Sequence, residues 1–260
     1  MKKILLVEGN LKEANQEFTE NGIKTHTESL QESISYYTNN LEIDSVNPSS
    51  DKDIFDKVKD LNKYEGLIWG GSSLNIYSDT KEIRRQIEFM KECQKRIKNI
   101  LAICWGMQVA VTAAGGVVNR GKNGAHRGIA HGIVINQDGL NHPIYKDKDK
   151  IFNTPAFNYD EVVTLPKNAI LLSSNKVNNV MALNFETEFS KIWGIQYHPE
   201  ITYEKMITLI KFRRERLLEN KSFSDEKDLE SHISMIENED KITKKESRMR
   251  ELKNWLDLIA

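Results

Sequence analysis

A thiol, an imidazole and a carboxylate together can perform covalent acyl chemistry, and this sequence carries them in two short motifs. In "AICWGMQ" an apolar run ends on Cys104, followed at once by Trp105 and Gly106. In "QYHPE" the apolar stretch "IWGIQY" leads into His198, Pro199 and Glu200. A thiol attacks a carbonyl usefully when it is partly ionised, reachable and close to a base. A turn from strand to helix favours this, because the bend lifts the side chain off the sheet edge. The helix N-terminus also offers its positive dipole end to a thiolate. Ala102 and Gly106, two residues either side of Cys104, are small enough for the backbone crowding of such an elbow. At the second motif, proline prevents continued sheet pairing, so the chain must turn at the carboxyl end of a strand, where open α/β sheets place their sites. Glu200 can then accept the imidazole N–H and fix its tautomer, as the third member of a triad does. A third motif, "LIWGGSS", ends a strand on Gly70 and Gly71, whose bare backbone N–H groups can face an oxyanion.

Each motif alone has an ordinary reading as a buried cysteine, a satisfied strand-end histidine or a glycine turn. Their combination is informative only if one sheet gathers them, although Cys104 and His198 lie 94 positions apart. The hydropathy pattern predicts such a sheet. Short apolar runs ("KILLV", "IDSVNP", "YEGLIWGG", "IKNILAIC") alternate with amphipathic segments ("LKEANQEFTENG", "TKEIRRQIEFMKECQKR", "GMQVAVTAA"). That alternation predicts an open, mostly parallel, flavodoxin-like α/β sheet flanked by helices. From about Gly128 short β-rich pieces with turn residues follow, predicting hairpin strands added to the parallel core. "ITYEKMITLIKFRRERLL" then reads as an amphipathic helix with Met206, Ile207, Ile210 and Leu217 on one side.

Beyond about Arg213 the chain is strongly charged and helix-prone. "TKKESRMRELKNWLDLI" has a capping-box pattern, Thr243 with Glu246 three residues on. Met249, Leu252, Trp255, Leu256 and Ile259 form an apolar stripe, expected to pack on its own domain rather than to dock a partner. The domains are thus residues 1–212 and a charged helical extension, 213–260.

Several classes of function are disfavoured. With 37 basic and 38 acidic residues in 260, the charge balance gives no reason to expect nucleic acid or an acidic membrane as partner. No apolar run approaches a membrane span, and the start "MKKILLVEGN" is too short for a signal core. Two cysteines form no disulfide framework, so a reduced, cytoplasmic protein is expected. Cys93 borders the apolar face of a helix and reads as structural. "GVVNRGKN" satisfies part of a phosphate-loop pattern, but Asn123 follows Lys122 where a hydroxyl is needed, and the segment follows a helix instead of opening one. Of the remaining histidines, His126, His131 and His142 read as loop or turn residues and His232 as a surface residue. No metal-ligand spacing occurs, and no cofactor or metal is expected.

The three motifs, in this order, resemble the class I glutamine amidotransferases, a family with a Cys-His-Glu triad. The likeness is especially to the amidotransferase domain of GMP synthase and its stand-alone relatives, over residues 1–212. The family elbow Gly-x-Cys-x-Gly-x-Gln reads "AICWGMQ" here, with Ala102 in place of the first glycine and Gln108 at the end. The resemblance implies that Cys104 attacks a side-chain amide and that the N–H groups of Gly71 and Trp105 hold the oxyanion. His198 would move the protons and Glu200 would orient it. Gly70, Gln108, Asn158 and Tyr159 would shape the substrate pocket, the last two lying in "FNYDEV" where relatives carry a histidine-rich stretch. The leading reading is a glutaminase supplying ammonia to a synthetase subunit on a separate chain. The alternatives are a self-sufficient hydrolase or transferase of γ-glutamyl amides or peptides, and a regulatory protein that has lost turnover. The substrate in the first two is glutamine or another γ-glutamyl compound, and homo-oligomerisation stays open.

Overall fold

The computed structural model describes residues 2–259, with the side chains of residues 57 and 58 excepted. The strands in chain order are β1 (Lys2–Val7), β2 (Leu41–Val46), β3 (Gly66–Trp69), β4 (Asn99–Ile103), β5 (Val117–Arg120), β6 (His126–Arg127) and β7 (Ala130–Ile135). They continue with β8 (Ile151–Thr154), β9 (Phe157–Asn158), β10 (Asp160–Thr164), β11 (Ile170–Ser174), β12 (Ala182–Glu186) and β13 (Lys191–Ile195). The helices are α1 (Lys12–Glu20), α2 (His26–Tyr37), α3 (Lys81–Gln94), α4 (Trp105–Ala113) and the single turn α5 (Gln137–Leu140). The later ones are α6 (Tyr203–Phe212), α7 (Arg214–Glu219), α8 (Glu226–Ile242), α9 (Lys245–Arg248) and α10 (Arg250–Ile259).

One sheet carries nine strands in the order β2-β1-β3-β4-β13-β12-β11-β7-β8. The first five are mutually parallel and the remaining pairings antiparallel. This is the parallel core with added hairpin strands expected from the apolar pattern. Side chains alternate across each parallel strand, so both faces need helices. Leu5, Val7, Leu67 and Ile100 pack towards α3 and α4, with Ile83, Phe89, Met90 and Met107. Ile4, Leu6, Ile68 and Leu101 face the other way, onto Leu30 and Ile34 of α2.

That second face is completed by the C-terminal stripe. Met249, Leu252, Trp255, Leu256 and Ile259 are all buried in the same cluster as β1, β3 and β4. Gly66 is the seat of the Trp255 indole, since a Cβ there would lie 2.7 Å from its Cη2. A third cluster joins α6, α7 and α8 through Tyr203, Ile210, Leu217, Leu229, Ile233 and Ile236.

Two local expectations fail. The Thr243–Glu246 capping box does not form: Thr243 ends α8 and its hydroxyl meets Glu239 at 3.1 Å, while Glu246 accepts from Tyr36 Oη at 2.7 Å. The single helices read over 201–218 and 243–259 are each broken, at Arg213 and Met249. The helix α2 was not anticipated at all, although Thr25 and Glu28 make a true capping box at its start. Among the described residues no helix is long and apolar enough to cross a membrane.

Candidate active site

The carboxyl ends of β1, β3, β4 and β13 meet at one edge of the sheet, and the three motifs arrive there together. Cys104 leaves β4 with φ 53° and ψ −103° and caps α4. A non-glycine residue in that region costs about 1–3 kcal/mol unless neighbours enforce it. Here its N–H donates to Ile195 O (2.7 Å) and its carbonyl accepts from Gln108 N–H (3.2 Å). The two loops are stitched together by Gly106 N–H donating to Gly70 O at 3.2 Å. A side chain at Gly106 would place Cβ 2.4 Å from Trp69 O, so this is the elbow glycine that close packing demands. Ala102, by contrast, is fully buried opposite Trp69 and Gly194, and its methyl group joins the α3–α4 core.

His198 is buried beside Cys104, whose sulfur acts on the imidazole. Its Nδ1 lies 2.7 Å from Glu200 Oε1, leaving Nε2 open to the sulfur. Burial alone would push the His198 imidazole down. The Glu200 carboxylate and the Cys104 sulfur outweigh that and hold it well above a free imidazole. Glu200 is pushed up by its own burial but pulled strongly down by the His198 charge. The backbone of this turn is held from three sides. Ser33 Oγ donates to Glu200 O at 3.1 Å, and His198 N–H donates to Pro155 O at 2.8 Å. The Arg248 guanidinium donates to the carbonyls of Pro199 and Ile201. Tyr197 Oη donates to Glu251 Oε1 (2.7 Å), which is itself paired with buried Lys148 at 3.1 Å. The extension beyond residue 213 thus reaches the backbone on both sides of Glu200.

Two side chains here escaped the sequence reading. Gln196 donates to Cys104 Sγ at 3.4 Å and accepts from Gln108 Nε2 at 3.3 Å, forming a relay beside the sulfur. Its position two residues before His198, on the same face of an extended segment, was the available signal. His26 stacks on His198, with ring centroids 5.5 Å apart and planes 23° apart, and burial depresses its pKa. Its Nδ1 is 4.0 Å from Glu200 Oε1, beyond hydrogen-bond distance. The capping box that starts α2 would have placed it at the first turn of that helix. His26, His198 and Glu200 present donor atoms within 4.8 Å of one another. Within this group only the His198–Glu200 hydrogen bond forms, and His26 Nδ1 and Glu200 Oε2 have no hydrogen-bond partner among the described residues.

Gly70 and Gly71 lie against these rings. Gly70 N–H donates to Val7 O at 3.0 Å, and a Cβ on Gly71 would sit 2.8 Å from His198 Cε1. Trp105 follows Cys104, and its indole N–H donates to Gln86 Oε1 at 2.7 Å. Cys104, Gln108, Asn158, Tyr159, Asp160 and Arg216 border one cleft. Within it Asn158 is tied to Asn178 and to His126 (2.8 Å), and Tyr159 lies under Arg120 with its hydroxyl on Ser222. Cys93 is elsewhere, fully buried with its thiol pKa pushed well up by desolvation.

The family model described as glutamine amidotransferase class-I matches residues 22–214. The chain belongs to this family. The chain is 29% identical over 219 residues to a gamma-glutamyl-L-1-hydroxyisopropylamide hydrolase of Pseudomonas sp., spanning 77% of this chain and 74% of that protein. It is 30% identical over 158 residues to gamma-glutamyl peptidase 4 of Arabidopsis thaliana, spanning 60% and 61%. A solved glutamine amidotransferase of Thermotoga maritima superposes with TM-score 0.65 at 17% identity over 99% of this chain and 97% of that one. The fold likeness thus extends through the C-terminal helices.

Proposed function

We propose that the chain is a self-sufficient thiol hydrolase of γ-glutamyl amides or peptides. The observation that carries this reading is the complete Cys104–His198–Glu200 constellation within one chain, in a family whose relatives include a γ-glutamyl amide hydrolase and a γ-glutamyl peptidase. Cys104 Sγ attacks the γ-carbonyl carbon, and the electron pair moves onto oxygen between the N–H groups of Gly71 and Trp105. The oxyanion collapses, the C–N bond breaks, and His198 gives its proton to the departing nitrogen. A γ-glutamyl thioester remains on Cys104. His198 then takes a proton from water, whose oxygen attacks the thioester carbon and releases glutamate and the Cys104 sulfur. Glu200 holds the imidazole throughout, and Gln196 with Gln108 fixes the sulfur's surroundings.

The test uses the purified chain alone with glutamine and with γ-glutamyl amides, reading free glutamate, together with a glutamine-like electrophile and peptide mapping. Turnover of γ-glutamyl amides and modification confined to Cys104 are expected. Glutamine hydrolysis that requires a second polypeptide would return the ammonia-supply reading. Reaction at Cys93 with Cys104 untouched would overturn the mechanism.

A further inference from the structure

Gln196 touches the reacting sulfur, yet no proton transfer in the mechanism passes through it. It follows β13, where its backbone N–H donates to Met181 O at 2.9 Å, and the residue is wholly buried. Its Nε2 donates to Cys104 Sγ at 3.4 Å, and its Oε1 accepts from Gln108 Nε2 at 3.3 Å. An apolar side chain of the same size would fill this place without the desolvation cost of an amide. The two amides run in one direction, from Gln108 to Gln196 to the sulfur. That direction suits a thiolate, which only accepts, whereas the reverse would set a carbonyl oxygen against it. The partner charge is at hand. Against the penalty of burial, Glu200 and the Cys104 sulfur keep the His198 imidazole charged.

We infer that Gln196 is a catalytic residue, whose amide N–H holds the Cys104 thiolate before attack and receives it again when glutamate is released. A donor on the sulfur does not help every step. In the attack, charge leaves the sulfur for the carbonyl oxygen, and the hold of the donor is lost. In the second half, His198 takes a proton from water as the water oxygen adds to the thioester carbon. The C–S bond then breaks, and its electron pair returns to sulfur beside the Gln196 N–H. The donor therefore favours the charged resting state and the release step, and it slightly weakens the nucleophile. The release half rests on the hydrolase reading above, and the resting-state half on the sulfur alone.

The experiment measures the rate of Cys104 alkylation by iodoacetamide against pH in the parent, Gln196→Met and Gln196→Glu. Buried Cys93, read in the same digest, reports any unfolding. Losing a hydrogen bond to a charged group costs about tenfold or more, so the pH of half-maximal rate should rise by about one unit in Gln196→Met. It should rise further in Gln196→Glu, where a carboxylate faces the sulfur. Once fully ionised, a sulfur without its donor is the stronger nucleophile, so the high-pH rate of Gln196→Met should rise about threefold. A role in packing alone would change the rate by one factor at every pH and leave the midpoint in place. On a γ-glutamyl amide, Gln196→Met should accumulate the γ-glutamyl thioester, read by mass spectrometry of quenched enzyme. Its kcat and KM should fall together by about tenfold, with kcat/KM at high pH held. An unmoved midpoint would overturn the role of Gln196 on the resting sulfur. A moved midpoint with no thioester accumulating would overturn its role in release. A parent enzyme that hydrolyses no γ-glutamyl compound would refute the hydrolase reading, and the labelling profile would still decide whether Gln196 holds the thiolate.

Discussion

Gly71→Ala is a single-methyl probe of how tightly the imidazoles are held. A Cβ built on Gly71 lies 2.6 Å from His26 Cε1 and 2.8 Å from His198 Cε1, against 3.4 Å for ordinary contact. The shortfall is about 0.8 and 0.6 Å. Neither ring has an easy retreat. His198 is anchored to Glu200 at 2.7 Å, and His26 sits stacked upon it at the first turn of α2. Overpacking of this kind costs about 1–3 kcal/mol of stability. Misplacing a reacting group by about 1 Å costs about 100-fold in rate, so a displacement near 0.6 Å should lower kcat by roughly 10- to 100-fold. KM should change little, because the methyl group meets the imidazoles and not the Gln108 side of the cleft. Steady-state kinetics on a γ-glutamyl amide, with the rate of Cys104 labelling by a glutamine-like electrophile, would measure both effects. Gly115→Ala is the control, since Gly115 has φ +84° with nothing within 4 Å of its Cβ and tests backbone strain alone, at about 1 kcal/mol. A folded Gly71→Ala protein with kcat within twofold of the parent would refute the packing argument, and equal losses in both variants would assign the effect to stability.

Other consequences follow from the buried charges. Glu251→Leu leaves Lys148 without its counter-charge in a fully buried site and should cost about 3–5 kcal/mol by chemical denaturation, while Lys148→Met with Glu251→Leu should recover most of the loss. A loss below about 1 kcal/mol in the single variant would mean that Lys148 reaches water. The triad should also shape stability against pH. Glu200 is depressed in the fold, so its contribution is present above the usual carboxylate range near pH 4.5 and fades as pH falls towards its folded pKa. His198 is raised to about 10, so its contribution is full below pH 6.5 and fades as pH climbs through 10. Thermal stability should therefore be greatest between about pH 4.5 and 6.5, and Glu200→Gln should flatten both limbs; identical pH profiles for the two proteins would contradict the pairing.

The fold class was readable because parallel strands covered on both faces are short continuous apolar runs, and "ILAIC" and "IWGIQY" are unmistakable of that kind. The elbow and the His-Pro-Glu turn were readable because a nucleophile at a strand end and a proline-stopped strand are local events. His26 was not readable, because its place depends on a helix whose apolar face is short and whose start is marked only by Thr25 and Glu28. The Thr243–Glu246 pattern misled for a related reason. A capping box needs a free helix start, but α8 runs up to Thr243 and occupies it.

By itself the sequence determined the candidate reactive groups, the strand ends that carry them and the parallel core, since these follow from residue type and short-range periodicity. Only the tertiary structure decided how Cys104 is held in a costly conformation and which glycines are obligatory. It also decided that Gln196 and His26 join the triad, and that Arg248 and Glu251 of the C-terminal extension brace the turn bearing Glu200. These are contacts between residues tens to hundreds of positions apart, and their energies depend on burial and partner geometry, which no local pattern records.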